Sequence, residues 1–311
     1  MKILITGSEG FAGRYLFDLL VSKGYEVYGT YYYSTEEIKN NYYFLDIRKR
    51  EEVKNLLEKL KPEGIFHLAA QTSVALSYQE EHLTYEVNTL GTLNLLWAIK
   101  ELSLNPRFVY ISTAEVYGQV KERKKVKEED EVNPISPYAL SKFFAEKIVQ
   151  YYVKVYNVDA LILRPFSHTG IGQRENFFFP YCCKKIAEIE KKKVPPFLEV
   201  GNLEIERDYL AVEDVVEAYY LAFKYGEKGE IYNITNSKPI KLKEALEFLL
   251  NQTNIEIKII FSKEKERKSD IFFLSGDNTK FKNLTNFVPR LEIKDTLLKM
   301  LNYYRKEVNQ E

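Results

Sequence analysis

Ile3-Leu4-Ile5-Thr6-Gly7-Ser8-Glu9-Gly10-Phe11-Ala12-Gly13 is the stretch that decides the fold. A β-prone run enters glycines spaced by three, and a helical pattern from Arg14 to Lys23, closed by Gly24, follows at once. Glycines at that spacing let the backbone turn tightly, approach a pyrophosphate and pack helix on strand, while N–H groups at the helix start face the anion. A glycine triplet alone also marks plain turns. A strand before it and a helix after it make it a cradle for a dinucleotide.

Working outward, short β-rich runs end near Thr6, Thr30, Asp46, Ala70 and Ser112, with amphipathic helical patterns between most of them. Val53, Leu56, Leu57 and Leu60 fall at i, i+3, i+4 and i+7 before Pro62, so one face of that helix is core. A sixth strand, Asp159 to Leu163, follows a helix from Tyr138 to Tyr156. The expectation is an α/β fold: a Rossmann-like doubly wound parallel sheet with a smaller α/β substrate-binding domain. Residues 1–165 would bind NAD(P), with 207–235 returning to that domain. Residues 166–206 and 236–311, where the texture turns aromatic and proline-rich, would bind the substrate.

The chain has 311 residues, with 45 Lys+Arg against 45 Asp+Glu. A formal net charge of zero gives no basic excess for a duplex or an anionic bilayer, so neither nucleic acid nor membrane is an expected partner. Two adjacent cysteines, Cys182 and Cys183, are too few for a disulfide framework, and His67, His82 and His168 lack metal-ligand spacing. The apolar run after Met1-Lys2 is too short for a leader or a span. A cytoplasmic enzyme without a metal is the expectation. The charged run Lys121 to Glu131 reads as a solvated loop.

The helix from Tyr138 carries two apolar stripes, Leu140/Phe144/Ile148/Tyr151/Val155 and Ala145/Val149/Tyr152/Tyr156, leaving Glu146, Gln150 and Lys154 as a polar ridge. One stripe can pack on the sheet and the other suits a homodimer, or cover by the second domain. Its first turn holds Tyr138-Ala139-Leu140-Ser141-Lys142, in which a phenol and an ammonium four residues apart share a face. A phenol has a pKa of about 10, and a neighbouring cation favours phenolate, so the pair can move a proton in either direction. The segment Ser112-Thr113-Ala114-Glu115-Val116-Tyr117-Gly118 ends the fifth strand, the edge where open α/β sheets bind ligands.

These motifs together resemble the extended short-chain dehydrogenase/reductases acting on nucleotide sugars, the epimerase/dehydratase family. The resemblance rests on Thr6-Gly7-x-x-Gly10-Phe11-x-Gly13, Leu45-Asp46-Ile47, His67-Leu68-Ala69-Ala70, Asn88-x-x-Gly91-Thr92-x-Asn94, Tyr138-x-x-x-Lys142 and Arg207-Asp208-Tyr209. It implies that Asp46 accepts from the adenine amino group, with Ile47 beside it, and that Leu68, Ala69 and Ala70 line the cofactor. It implies further that Lys142 holds the nicotinamide ribose and that His168 lies on the nicotinamide side. Thr113 and Tyr138 would bind the sugar oxygen that changes oxidation state. Ser73, Asn202, Arg207 and Arg267 would hold the substrate, Arg207 at the sugar-side pyrophosphate.

Within the family the second half is most similar to the GDP-6-deoxy-4-keto-mannose reductases, which make GDP-rhamnose. Arg164-Pro165-Phe166-Ser167-His168-Thr169-Gly170-Ile171-Gly172-Gln173 and Val200-Gly201-Asn202-Leu203-Glu204-Ile205-Glu206-Arg207-Asp208 carry that likeness. The chain departs from the pattern at Ser167, where the family often has Asn, and at Ala114, where the reductases commonly have Ser. Glu115 stands where 4,6-dehydratases keep their base, so a GDP-mannose 4,6-dehydratase and a 4-epimerase remain the alternatives. A non-catalytic dinucleotide-sensing module would not need the Tyr138/Lys142 pair. The second strand ends Gly29-Thr30-Tyr31-Tyr32 without a carboxylate to repel a 2′-phosphate, and Arg14 could meet one. NADPH is therefore favoured, alongside NADH. Tyr31-Tyr32-Tyr33 could stack near adenine or cover a loop.

Overall fold

A computed structural model of the chain describes residues 1–33, 41–120, 122–265 and 271–310. Its main sheet is parallel and seven-stranded, from β1 (Lys2–Thr6), β2 (Glu26–Tyr31), β3 (Tyr42–Phe44), β4 (Gly64–His67), β5 (Arg107–Ile111), β6 (Ala160–Pro165) and β10 (Ile231–Ile234), in the order β10-β6-β5-β4-β1-β2-β3. The period of two in the strands explains why both faces carry helices. Ile3 and Ile5, Phe66, Val109 and Ile111, Leu161 and Leu163 enter one core. The alternate residues Leu4, Ile65, Phe108 and Tyr110, Ala160 and Ile162 enter another.

Helices α1 (Phe11–Ser22) and α8 (Val212–Tyr225) pack together over the first face, α8 supplying Val215, Tyr219 and Phe223 to the core there. On the second face lie α2 (Arg50–Leu60), α5 (Gly91–Glu101) and α6 (Pro137–Tyr156). The short helices α3 (Val74–Ser77) and α4 (Glu81–Tyr85) run over α6, and a π-helical turn, Glu86–Leu90, joins α4 to α5. Arg50–Leu60 buries the four apolar residues read from the sequence, and Lys61 closes it in the left-handed conformation before Pro62.

The smaller unit is built from β7 (Ser167–Thr169), α7 (Phe178–Glu190), β8 (Phe197–Val200), β9 (Glu206–Ala211), β11 (Pro239–Lys241), α9 (Leu242–Leu250), β12 (Lys258–Phe261), β13 (Phe273–Leu274) and α11 (Ile293–Gln310). Strand β9 pairs with β7, β11 and β13 in one sheet, and β8 with β12 in another. The return to the main sheet therefore starts at Val212 rather than at 207, because Glu206–Ala211 hydrogen-bonds within the smaller unit. Helix α10 (Thr279–Thr285) departs from the expected division too: Phe281 and Phe287 enter the core under α8, not the third core around Cys182, Cys183, Leu246 and Leu301. Both thiols are buried packing groups, and burial pushes Cys182 up to about 12. Among the described residues no helix is long and apolar enough to cross a membrane.

Over its described residues, 122–131, the charged run is anchored rather than simply solvated, Lys121 lying outside them. Most of its described side chains are exposed, but Val126 is buried, its N–H donates to Ser275 O (2.9 Å) and its carbonyl accepts from Asp277 N (2.8 Å). The Glu128 carboxylate accepts from Asn233 N on β10 (2.8 Å). This strap ties the edge of the main sheet to the segment that follows β13.

Candidate active site

The glycine cradle follows β1, as its sequence requires. Gly7 sits at φ +73°, and a Cβ there would stand 2.7 Å from the Ala69 backbone. A Cβ on Gly13 would lie 2.4 Å from Gly7 O. The loops after β1 and β4 thus meet backbone to backbone, with the start of α1 open to an anion; Leu68, Ala69 and Ala70 form that second loop. These residues fit a dinucleotide pyrophosphate.

Below the cradle, His67 is a satisfied sheet residue. The Thr92 hydroxyl donates to Asn88 O (2.7 Å), so toward His67 Nε2 (3.0 Å) it can only accept, which leaves Nδ1 to accept from the Thr6 hydroxyl (2.7 Å). Burial first, then the Lys142 charge, push its pKa well below the usual histidine value, so the ring is neutral. Phe11 stacks on His168 across the two units, with centroids 5.9 Å apart and planes 8° apart. His168 Nδ1 donates to Phe166 O (3.2 Å), leaving Nε2 as an acceptor, and burial lowers its pKa.

At the adenosine end a partner absent from the sequence reading appears. Arg48 grips Asp46 with Nε to Oδ1 (2.9 Å) and Nη2 to Oδ2 (2.7 Å), and Nη2 also donates to the Tyr32 hydroxyl (2.7 Å). Hydrogen bonding to Arg48 lowers the Asp46 pKa, so the carboxylate is an anion already engaged by that guanidinium. The Tyr32 ring lies under the Arg48 guanidinium (5.4 Å), so it covers this cation. Arg14 Nε donates to Glu9 O (3.0 Å), beside the cradle.

The Tyr138/Lys142 pair opens α6, where Ser136 caps by accepting from Ala139 N (3.1 Å) and Pro137 takes the first helical position. Both side chains are buried, and Lys142 Nζ stands 4.6 Å over the Tyr110 ring on β5. Thr113 caps the 3₁₀ turn Ala114–Tyr117, accepting from Glu115 N (3.2 Å), and brings half-buried Glu115 to the same edge. The expected acidification of the phenol does not prevail. Burial pushes Tyr138 up to about 12, hydrogen bonding to Thr113 pulls it back, and the Glu115 charge raises it. Burial likewise brings Lys142 down to about 7, and the Glu146 charge acts against that.

Glu146 itself is not on a polar ridge. It is buried and accepts from Arg164 Nε (3.0 Å) and Nη2 (2.7 Å) and from the Ser112 hydroxyl (2.5 Å). The outward residues of α6 are Phe144, Lys147, Tyr151, Lys154, Val155 and Tyr156. A further group missed in the sequence is Gln71. Its N–H donates to Asn88 Oδ1 (2.8 Å), and Asn88 Nδ2 donates to Ser141 Oγ (2.9 Å), so the π-helical turn joins the loop after β4 to α6.

On the substrate side, Ser73 caps α3 by accepting from Leu76 N (3.2 Å), and Asn202 Oδ1 accepts from Glu204 N (2.9 Å). Arg207 is buried on β9, its Nη1 donating to Glu206 O (3.1 Å). The Asp208 carboxylate turns elsewhere, accepting from Thr235 (2.6 Å), Ser275 (3.0 Å) and Asn236 N (2.9 Å). Arg267 lies outside the described residues.

With that geometry in place, the model of the family GDP-mannose 4,6 dehydratase matches residues 4–300. The chain belongs to this family. The GDP-6-deoxy-D-mannose reductase of Pseudomonas aeruginosa is 30% identical over 311 residues, covering 100% of this chain and 99% of the relative. The GDP-6-deoxy-D-talose 4-dehydrogenase of Aggregatibacter actinomycetemcomitans is 33% identical over 287 residues, covering 91% of each. The solved structure of RMD from Pseudomonas aeruginosa complexed with NADPH superposes with a TM-score of 0.86 at 29% identity, covering 98% of each chain. The protein is an NAD(P)-dependent enzyme of the extended short-chain dehydrogenase/reductase type.

Proposed function

We infer that the protein reduces the C4 ketone of a GDP-4-keto-6-deoxy-hexose with NAD(P)H, giving GDP-rhamnose. One observation carries the reading: the Tyr138 phenol, a proton donor at neutral pH, is buried at the end of the sheet in hydrogen-bonding reach of the Thr113 hydroxyl, so one carbonyl oxygen can meet both. Reduction of a ketone needs such a donor, because the oxygen gains charge as the carbon is reduced. Reduced nicotinamide, when bound, supplies the hydride. Thr113 orients the carbonyl, Tyr138 gives its proton to the nascent alkoxide and is reprotonated from solvent, and Lys142 holds the nicotinamide ribose. Arg207 meets the sugar-side phosphate, with Ser73 and Asn202 along the sugar nucleotide. The two GDP-6-deoxy-hexose relatives support this substrate class.

A second reading has its own support. Glu115 is close enough to Tyr138 to raise its pKa, the position a C5 base would need in a GDP-mannose 4,6-dehydratase. Loss of the reduced-nicotinamide absorbance, one equivalent per GDP-4-keto-6-deoxy-mannose consumed and with GDP-rhamnose identified by NMR, is the outcome expected of the reductase. Turnover of GDP-mannose without net cofactor loss would replace it with the dehydratase. For the cofactor, the carboxylate-free end of β2 with Arg14 and Arg48 nearby favours NADPH. Saturation at lower NADPH than NADH is the expected result, and exclusion of NADPH would refute it.

A further inference from the structure

Five buried side chains beneath the Tyr138 site, Glu146, Arg164, Ser112, Tyr117 and Asn233, form a connected hydrogen-bond network that the reaction as proposed leaves unused. Glu146 lies one helical turn beyond Lys142 on α6, as Lys142 lies one turn beyond Tyr138. Its carboxylate takes two hydrogen bonds from Arg164 at the end of β6 and one from Ser112 at the end of β5, next to Thr113. Arg164 Nη1 continues to the Tyr117 hydroxyl (3.0 Å) and to Glu128 O (3.2 Å), and Tyr117 donates to Asn233 Oδ1 (2.7 Å). The network therefore joins the helix bearing the acid, the turn bearing Thr113 and Glu115, and the strap that reaches the substrate unit.

A buried ion pair is seldom retained for stability, because desolvation of two charges offsets their attraction. This one faces a third buried charge. Around Lys142 stand Tyr138 and Glu146 on its own helix, Tyr110 on β5, neutral His67 on β4 and, behind Glu146, Arg164 on β6; Glu115 lies beyond Tyr138. Of these, Glu146 is the anion acting on the Lys142 ammonium. Arg164, bonded to both carboxylate oxygens, fixes that carboxylate in place.

We propose that Glu146 is a positioning residue: it stabilises the ammonium of Lys142 from one turn away and locks α6 to the Thr113 turn through Ser112. The consequence for the reaction rests on the reductase reading, but the electrostatic claim does not, and the experiment separates them. The Lys142 amine is titrated by heteronuclear NMR of ¹⁵N-lysine protein, the resonance being assigned by its loss in Lys142→Met. In Glu146→Gln the midpoint is expected to fall by about one pH unit or more, and in Glu146→Asp to stay near wild type. Should Glu146→Gln leave Arg164 unbalanced and fail to fold, the double variant Glu146→Gln/Arg164→Gln, neutral at both positions, is titrated in its place, with a fall in the same direction but smaller, because the more distant Arg164 charge is removed too. The alkaline limb of kcat/KM moves down in pH with the amine in the same variant. An unchanged midpoint in a folded Glu146→Gln or double variant overturns the proposal. A shifted midpoint in a protein that reduces no 4-keto sugar leaves it standing and removes the reductase reading alone.

Discussion

At the scale of single residues, the site is governed by burial more than by neighbouring charge. Tyr138→Phe removes only the hydroxyl, so turnover is expected to fall by about 10²–10⁴-fold while NADPH binding stays within a few fold, read by steady-state kinetics and fluorescence titration. Lys142, with its pKa about 7 in the folded protein against the ordinary 10.5, makes a signed prediction. Between those values the unfolded chain binds more protons, so this group's contribution to stability rises as pH climbs from 7 toward 10.5 and is flat below. Lys142→Met is therefore expected to gain more stability, relative to wild type, at pH 7 than at about pH 9.5 in urea titrations. The roles of Tyr138 and Lys142 could be read from a spacing of four, but their protonation could not, because desolvation depends on what the whole fold places over them. Arg48 was missed for a simpler reason. Nothing in Asp46-Ile47-Arg48 says that the guanidinium folds back on the carboxylate two residues earlier.

At the scale of elements, the cradle and α6 show what a local pattern carries. The glycine spacing announced β1 and α1, and the coordinates add the reason for Gly7: a left-handed φ and an abutting Ala69 backbone. Gly7→Ala is expected to cost at least about 1–2 kcal/mol in stability from the backbone alone and to abolish tight dinucleotide binding, measured by denaturation and by NADPH titration. A variant that still binds NADPH as wild type does would mean that the cradle is not the binding loop. In α6 the apolar stripes were readable and the place of Glu146 was not. Periodicity assigns a charged residue to solvent, and only Arg164, distant in sequence and adjacent in space, makes its burial tolerable. The strap at Val126 was hidden likewise, since one buried valine among exposed charges leaves no period to follow.

For the whole molecule, the stripe of α6 that begins at Leu140 is the one left without a partner in this chain over much of its length. Phe144, Tyr151 and Val155 remain exposed while Ala145, Val149 and Tyr152 are covered by this chain's own core. We propose that this face closes a homodimer. Sedimentation is expected to give about twice the 36.6 kDa chain mass, and Phe144→Asp/Tyr151→Asp to halve it without loss of helix content. A wild type that sediments as a single chain would send that face to another role.

The outermost strand of the main sheet comes from late in the chain: β10 supplies Ile231–Ile234 beside Ile162–Pro165, and α8 roofs the same corner. A gene cut after Pro165, where the texture of the sequence changes, therefore strips β6 of its neighbour and bares a ribbon of unpaired N–H and C=O groups flanked by Leu161 and Leu163, as the expected return of 207–235 to the first domain implies. Such a fragment is expected in inclusion bodies, whereas one ending beyond α10 keeps its edge protected. The two units are interleaved rather than consecutive, and neither half of the gene is a cassette that can be exchanged on its own.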